Sequence, residues 1–139
     1  MSATLSAIDS NALSFAATYV AMLVLLGLVL TAGVISVRRS QKVGIGDGGN
    51  HTLARRIRVH GNFSEQAPLI LALLVMLPLL GAREWLVHAV GLTGLVGRIL
   101  HAIGLGKSIG PSFGRVAGML LTWASLAIGV VGLLVLAWR

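Results

Sequence analysis

The sequence predicts an all-α integral membrane protein, a bundle of four spanning helices that forms a single domain over residues 1–139. Three observations support this class: 56% of the 139 residues are hydrophobic, only 11% are charged, and the mean hydropathy is +0.92. A soluble domain keeps about a quarter of its residues charged. The composition therefore excludes a soluble enzyme, a nucleic-acid-binding protein and a disordered chain.

The first and the last span are uninterrupted apolar runs. Residues 13–37 are 25 consecutive residues without a charge, which at about 1.5 Å per residue cover the roughly 30 Å hydrocarbon core of a bilayer. The last span, residues 114–138, is equally apolar beyond Arg115 and ends at Trp138 and Arg139, residue types that anchor helices at the membrane interface. Both segments are predicted to cross the membrane as helices.

The second and the third span contain polar residues. The apolar run at 67–80 has 14 residues and would cover only about 21 Å, so the second span has to extend towards the N-terminus, over residues 55–81. This extension draws polar residues into the membrane, and the third span, residues 85–105, carries more. The polar residues are Arg58, Asn62 and Glu65 in the second span and His88, Arg98 and His101 in the third.

Basic residues are concentrated on one side of the predicted bundle. Only Arg83 and Arg139 lie on the other side. The positive-inside rule therefore places the first and third connections in the cytoplasm and both termini outside it. The net charge of +7 is explained in the same way, by contact with anionic lipid headgroups. The basic side carries Arg38, Arg39, Lys42, Arg55, Arg56, Arg58, Lys107 and Arg115.

Four polar residues of the second span share one face of its helix. They are spaced by three, four and three residues, the spacing at which helix side chains lie above one another. Ionisable groups at membrane depth cost about 2.5–3.5 kcal/mol each on insertion scales and usually mark a functional site. The alternative is a self-satisfied polar seam between helices, in which Glu65 neutralises an arginine. The four residues are Arg55, Arg58, Asn62 and Glu65.

The other three spans bring polar groups to the same leaflet. Arg98 and His101 lie at i and i+3 on the third span, Arg38 follows the first, and Arg115 begins the fourth. Guanidinium groups donate to carboxylates, and a carboxylate accepts from an ammonium group. We therefore expect a polar pocket beneath the cytoplasmic headgroups that offers both kinds of contact.

Other motifs restrict the chemistry. The chain has no cysteine, which excludes disulfides and a nucleophilic thiol of its own. Its four histidines lack the spacing of a metal site, so no bound metal is expected. The glycine-rich segment 44–49 is interpreted as a flexible turn, because no strand precedes it. Gly114 and Gly118 share a face of the fourth span and predict close helix packing, within the chain or between subunits.

The chain resembles the MAPEG superfamily, the membrane-associated proteins in eicosanoid and glutathione metabolism, and especially its short bacterial members. The most specific match is the segment RVHGNFSEQAP at 58–68, which is similar to the family signature of Arg, Asn and Glu followed by Pro on the second helix. Three shorter segments support it: GDGGN at 46–50, GRILHA at 97–102 and RVAGML at 115–120. The likeness as a whole covers nearly the entire chain.

The resemblance implies a homotrimer of four-helix subunits in a bacterial inner membrane, with glutathione as cosubstrate between neighbouring subunits near the cytoplasmic leaflet. Arg115 matches the arginine that stands beside the glutathione thiol in the family and is the implied catalytic residue. Glu65 would accept from the glutamyl ammonium group. A hydrophobic substrate would enter from the lipid, with no metal and no nucleic acid involved. The implied glutathione-binding residues are Arg38, Arg58, Asn62, Glu65, Arg98 and His101.

The sequence departs from some relatives at two places. Several eicosanoid-pathway relatives have tyrosines on the third helix where this chain has Gly104 and Leu105, and its single tyrosine is Tyr19. A second arginine in the signature of some relatives is Gly61 here. Both departures argue against a specialised eicosanoid synthase.

The sequence thus predicts a glutathione-dependent membrane enzyme, a transferase or a peroxidase that acts on a hydrophobic electrophile or a lipid hydroperoxide. The alternative is a non-catalytic protein that binds an anionic lipid headgroup or another small anion in the same pocket. Glu65 favours glutathione, because a site for lipid phosphate has no use for an ammonium acceptor. A channel or transporter subunit is less well supported, since the four spans show no inverted repeat.

Overall fold

The chain folds into four long helices, as the sequence predicts. A computed structural model describes residues 9–108 and 110–139, and within them there are helices but no strands. Each helix is long and apolar enough to cross a membrane, which confirms the all-α, four-span class. The helices are α1 (Ser10–Gln41), α2 (His51–Leu79), α3 (Glu84–Lys107) and α4 (Phe113–Ala137).

The helix ends are defined by side-chain caps and a left-handed residue. The Asp9 carboxylate accepts from the first backbone N–H groups of α1, and Asn50 and Ser112 cap α2 and α4 in the same way. Lys42 follows α1 with φ of 54°, the left-handed conformation that closes many helices. Because α2 begins at His51, it includes the polar extension that the short apolar run required.

The helices alternate in direction and define two ends of the bundle. We call the end with the α1–α2 loop (42–50) and the α3–α4 connection (108–112) the basic end, and the end with the α2–α3 turn (80–83) the turn end. Every pair of helices packs together except α1 and α4, and the α3–α4 contact is the most extensive. The α3–α4 pair therefore forms the most tightly coupled part of the bundle.

The interior and the outer surface of the bundle are both apolar. Leu74 and Val87 are completely buried between the helices. Leu25 and Leu28 on α1 are each 62% exposed, and Val131 on α4 is 61% exposed. In water such a surface would be unstable, whereas in a bilayer the acyl chains cover it. The outward faces of α1 and α4 are therefore suited to an apolar environment such as the lipid of a bilayer.

Glycines bring α3 and α4 into backbone contact at the basic end. A Cβ atom added at Gly104 would lie 2.5 Å from the Arg115 backbone nitrogen, and one at Gly118 would press on the backbone of His101 and Gly97. The sequence left open whether the small residues of α4 pack within the chain or between subunits. The structure shows that Gly118 packs within the chain, against α3. This contact fixes where α4 begins relative to the polar residues of α3.

Candidate functional site

A buried arginine lies at the centre of the basic end. Arg98 on α3 is only 2% exposed, and its Nη2 donates to Oδ1 of Asn62 on α2 at 3.0 Å. A guanidinium has five N–H donors. The Nε of Arg98 is buried without a hydrogen-bond partner. The ion pair found among residues 9–108 and 110–139 does not include Arg98. This part of the chain thus leaves a buried positive charge uncompensated, which is costly.

One small cavity adjoins this arginine, and a second small cavity shares two lining residues with the first. The first, which we call the Arg98 cavity, has a volume of about 170 Å³. The second, the Arg115 cavity, measures about 140 Å³. His101 and Met119 line both, so the two cavities are neighbours. The Arg98 cavity is lined by Asn62, Gln66, Arg98, His101, Met119, Thr122 and Trp123, and the Arg115 cavity by His101, Pro111, Arg115, Val116 and Met119.

Arg115 is positioned by the start of α4. Its backbone nitrogen donates to Oγ of the cap residue Ser112 at 3.4 Å, and its Nη1 donates to the Gly110 carbonyl at 3.1 Å. The first turn of a helix carries a partial positive charge from its unpaired N–H groups. The helix terminus and the guanidinium therefore favour a negative charge in the same cavity.

The polar face of α2 divides into two rows. Arg55 donates to the Gly106 carbonyl at 3.3 Å, and with Asn62 it forms the row that faces α3. Arg58 and Glu65 form the other row and pair with each other, Nη1 to Oε1 at 3.1 Å, with their side chains 62% and 52% exposed. Glu65 does neutralise an arginine, but at an exposed position and not in a buried seam.

Arg38 serves the loop between α1 and α2. Its Nη1 donates to the Gly46 carbonyl at 2.9 Å and to the Gly44 carbonyl at 3.4 Å. Gly46 adopts a positive φ of 65°, which allows its carbonyl to turn towards the helix end. Arg38 lines neither the Arg98 cavity nor the Arg115 cavity. Its assignment to a glutathione site stays a prediction.

The two cavities combine a cationic interior with an apolar outer rim. Trp123 is 56% exposed, Val116 is 46% exposed and Met119 is 37% exposed, all on α4. These side chains separate the polar cavities from the lipid-facing surface. Among the described residues no three His, Cys, Asp or Glu side chains come together as a potential metal site. The arrangement can hold a small anion or zwitterion next to a molecule dissolved in the membrane.

Comparison with known proteins identifies the family. A model described as the MAPEG family matches residues 16–135. The chain belongs to the MAPEG family. It is similar to the "Inner membrane protein YecN" of Escherichia coli (strain K12) and to that of Escherichia coli O6:H1. Each is 33% identical over 115 residues, which cover 83% of this chain and 86% of the relative.

The four apolar helices and the similarity to an inner membrane protein support a multi-pass inner membrane protein. Of the residues proposed from the sequence of this MAPEG protein, Asn62, Arg98 and His101 meet at the Arg98 cavity, and Arg115 joins His101 at the next one. Arg58 pairs with Glu65 on the exposed face of α2, as described above.

Sequence reasoning missed several residues that line the cavities of this family member. Gln66 lies four positions after Asn62 on α2, and Met119 and Thr122 lie four and seven positions after Arg115 on α4. These helical spacings place them on the faces that carry the predicted site residues. The same periodicity that defined the α2 stripe could have found them. Trp123 had no such signal, because tryptophan is ordinary on a lipid-facing helix.

Proposed function

We propose that this MAPEG protein binds glutathione at its basic end and activates the thiol for attack on a hydrophobic electrophile or a lipid hydroperoxide. The observation that carries the proposal is the Arg98 guanidinium, which is buried beside a cavity, donates one hydrogen bond to Asn62 and has an Nε without a partner. A carboxylate would supply the missing charge and acceptors. Glutathione has two carboxylates, one ammonium group and one thiol.

The residues of α2 and α3 would orient the tripeptide. Arg98, held by Asn62, would bind a carboxylate at the inner end of the site. Glu65 would accept from the glutamyl ammonium group after its pair with Arg58 opens. Arg58 would then be released to bind a carboxylate.

Arg115 would favour the thiolate. A thiol with the reference pKa of about 8.5 is only a few per cent ionised at neutral pH. A fixed guanidinium at a helix N-terminus stabilises the anion and so raises the fraction of reactive sulfur. The thiolate would form a C–S bond with an electrophile as the leaving group departs with its electron pair. With a hydroperoxide, two glutathione molecules would yield an alcohol, water and glutathione disulfide.

A neighbouring subunit would complete the site. The cavity volumes of about 170 Å³ and about 140 Å³ each fall below the roughly 300 Å³ at which ligand pockets usually begin. The exposed pair Arg58–Glu65 lies at the surface of α2. A homotrimer would bury this surface and enclose the ligand between subunits.

The second candidate function is binding of an anionic headgroup or small anion without catalysis. The position of the single tyrosine favours it: the Tyr19 hydroxyl is bonded to His88 Nδ1 at 2.9 Å, on α1 and α3 in the half of the bundle nearer the turn end. No phenol of this chain is therefore near Arg115 to donate to a thiolate.

The ultraviolet absorbance of glutathione thiolate tests the proposal in purified protein. Wild type should give a thiolate signal at neutral pH. Arg115→Ala should abolish the signal while binding persists, and Glu65→Gln should weaken binding itself. Arg39→Ala is the matched control, because Arg39 is an exposed arginine at the same end that lines neither cavity.

Two results would decide against the enzyme. Glutathione binding without any thiolate signal leaves a binding protein. The second candidate is supported if the protein does not bind glutathione but anionic lipid protects it against thermal unfolding. Arg98→Gln should then remove that protection.

A further inference from the structure

A large groove lies at the turn end of the bundle, and the proposed glutathione site lies at the other end. The volume of the groove is about 670 Å³, within the range of roughly 300–1,000 Å³ that ligand pockets span. Its walls come from the α2–α3 turn (81–83), the first residues of α3 (85–86) and the last turns of α4 (127–136). The groove does not share residues with the Arg98 or the Arg115 cavity, so it is a separate feature of the molecule.

The groove has apolar walls and two arginines. Trp85, Val131 and Val135 present apolar surface at 64%, 61% and 51% exposure. Arg83 and Arg139 line the same groove. The arginines lie just outside α3 and α4, where spanning helices leave the hydrocarbon core for the headgroup region. One surface therefore offers contacts for a hydrocarbon chain and for an anion.

Both arginines of the groove have unused donors. Among the hydrogen bonds and ion pairs of the described residues, none involves the guanidinium of Arg83 or Arg139. Glu84 lies next to Arg83 along the chain but does not pair with either arginine. Asp9 instead caps α1 with its carboxylate. Within residues 9–108 and 110–139, no acidic side chain pairs with the two arginines of the groove.

A second copy of the chain is a poor match for these charges. The whole sequence has four acidic residues. Asp47 lies in the α1–α2 loop and Glu65 pairs with Arg58, both towards the basic end. The remaining two, Asp9 and Glu84, lie at the turn end, but the Asp9 carboxylate caps its own helix α1. A second copy in the same orientation would therefore bring one further carboxylate side chain, Glu84, to two arginines. A phospholipid, in contrast, carries a phosphate at the depth of the arginines and acyl chains at the depth of the apolar walls.

We propose that the groove is a binding site for an anionic phospholipid of the leaflet at the turn end. One acyl chain lies along α4 between Trp85 and Val131, and the phosphate accepts hydrogen bonds from Arg83 and Arg139. A fork-shaped guanidinium suits phosphate oxygens geometrically. The site is independent of the proposed glutathione chemistry, because it lies at the other end of the bundle.

Native mass spectrometry of the full chain in neutral detergent tests the site. Dioleoyl phosphatidylglycerol and dioleoyl phosphatidylcholine have the same acyl chains, so their difference isolates the headgroup charge. Phosphatidylglycerol should remain bound at one molecule per subunit and should bind more tightly than phosphatidylcholine. Arg83→Gln and Arg139→Gln should each weaken it about fivefold, the effect of one basic residue near a lipid phosphate.

Matched variants separate the groove from its surroundings. Ala127→Phe puts a ring into the groove and should displace both lipids, whereas Val130→Phe places the same ring on a neighbouring exposed position outside it. Arg39→Gln removes one exposed basic charge at the basic end and should leave phosphatidylglycerol bound as in wild type. Glycerol 1-phosphate, a headgroup without acyl chains, should not bind measurably.

Three outcomes would overturn the inference. Equal binding of the two lipids would mean that the arginines do not select a charge. Equal weakening by Arg39→Gln and Arg83→Gln would mean general attraction to basic protein. A change of oligomeric state in Ala127→Phe, with lipid binding intact, would mean that the groove is an interface between copies.

Discussion

Replacing Arg98 with methionine separates a ligand site from a structural contact. Arg98 is 2% exposed and has one side-chain hydrogen bond, to Asn62. The substitution removes a charge that costs about 2.5–3.5 kcal/mol at membrane depth. It also removes a charged hydrogen bond worth about 1.5–3 kcal/mol. The two effects nearly cancel, so we expect the stability of the ligand-free protein to stay within about 2 kcal/mol of wild type.

The affinity for glutathione should respond quite differently. If Arg98 binds a carboxylate, the loss of that charged hydrogen bond weakens binding by about 1.5–3 kcal/mol, which corresponds to roughly 10-fold to 150-fold. Isothermal titration calorimetry measures this change in detergent solution. Thermal unfolding of the ligand-free protein measures the stability of the same preparation.

A double variant and a control make the result decisive. Arg98→Met with Asn62→Leu removes both partners of the hydrogen bond, which is often neutral or stabilising, and should unfold at or above the wild-type temperature. Arg39→Met, at an exposed position of the same end, should change neither quantity. The reasoning is refuted if Arg98→Met binds glutathione within twofold of wild type, or if both Arg98 variants unfold far below it.

Three further predictions test the packing and the exposed ion pair. Gly118→Ala should lower the unfolding temperature, because its Cβ would press on the α3 backbone and overpacking costs about 1–3 kcal/mol. Gly106→Ala is the control and should not lower it, because no atom from another part of the chain lies within 4 Å of the added Cβ. Equal effects of the two substitutions would contradict the close α3–α4 contact. Tyr19→Phe should cost about 0.6 kcal/mol in thermal unfolding, through its lost bond to His88, and leave glutathione affinity in calorimetry unchanged; weaker binding would place this pair in the site. Glu65→Gln should shift the free energy of unfolding by less than about 1 kcal/mol. It should weaken the binding of glutathione more than the binding of an analogue that lacks the amino group. If calorimetry shows equal weakening for both ligands, Glu65 is not the ammonium acceptor.

Much of the fold could be predicted from hydropathy and length. A segment in lipid has to satisfy its own backbone hydrogen bonds, so an apolar run of sufficient length becomes a helix. The same rule required α2 to begin well before its apolar core, and the structure begins it at His51. The helix limits differ from the predicted spans by a few residues, because caps such as Asp9 and Asn50 lie in the polar flanks that hydropathy does not resolve.

The candidate site was predicted only in its residue types. Spacing placed Arg55, Arg58, Asn62 and Glu65 on one face of α2, but a helical face is broad enough to meet two environments. In the structure Asn62 turns to α3 while Glu65 remains exposed beside Arg58. Whether a residue of α2 contacts α3 or stays exposed depends on how α2 is rotated about its axis relative to α3. That rotation is set by packing along the whole interface.

The sequence alone therefore determined that this protein resides in a membrane, how many spans it has and which family it belongs to. Each of these follows from local composition or from short motifs. Only the tertiary structure decided which polar groups meet. It gave Arg98 one partner and left its Nε without another, tied Arg38 to the loop carbonyls, and packed Gly118 against α3 within the chain. These contacts join residues far apart in the chain, and their geometry follows from how four helices pack together and not from any one of them.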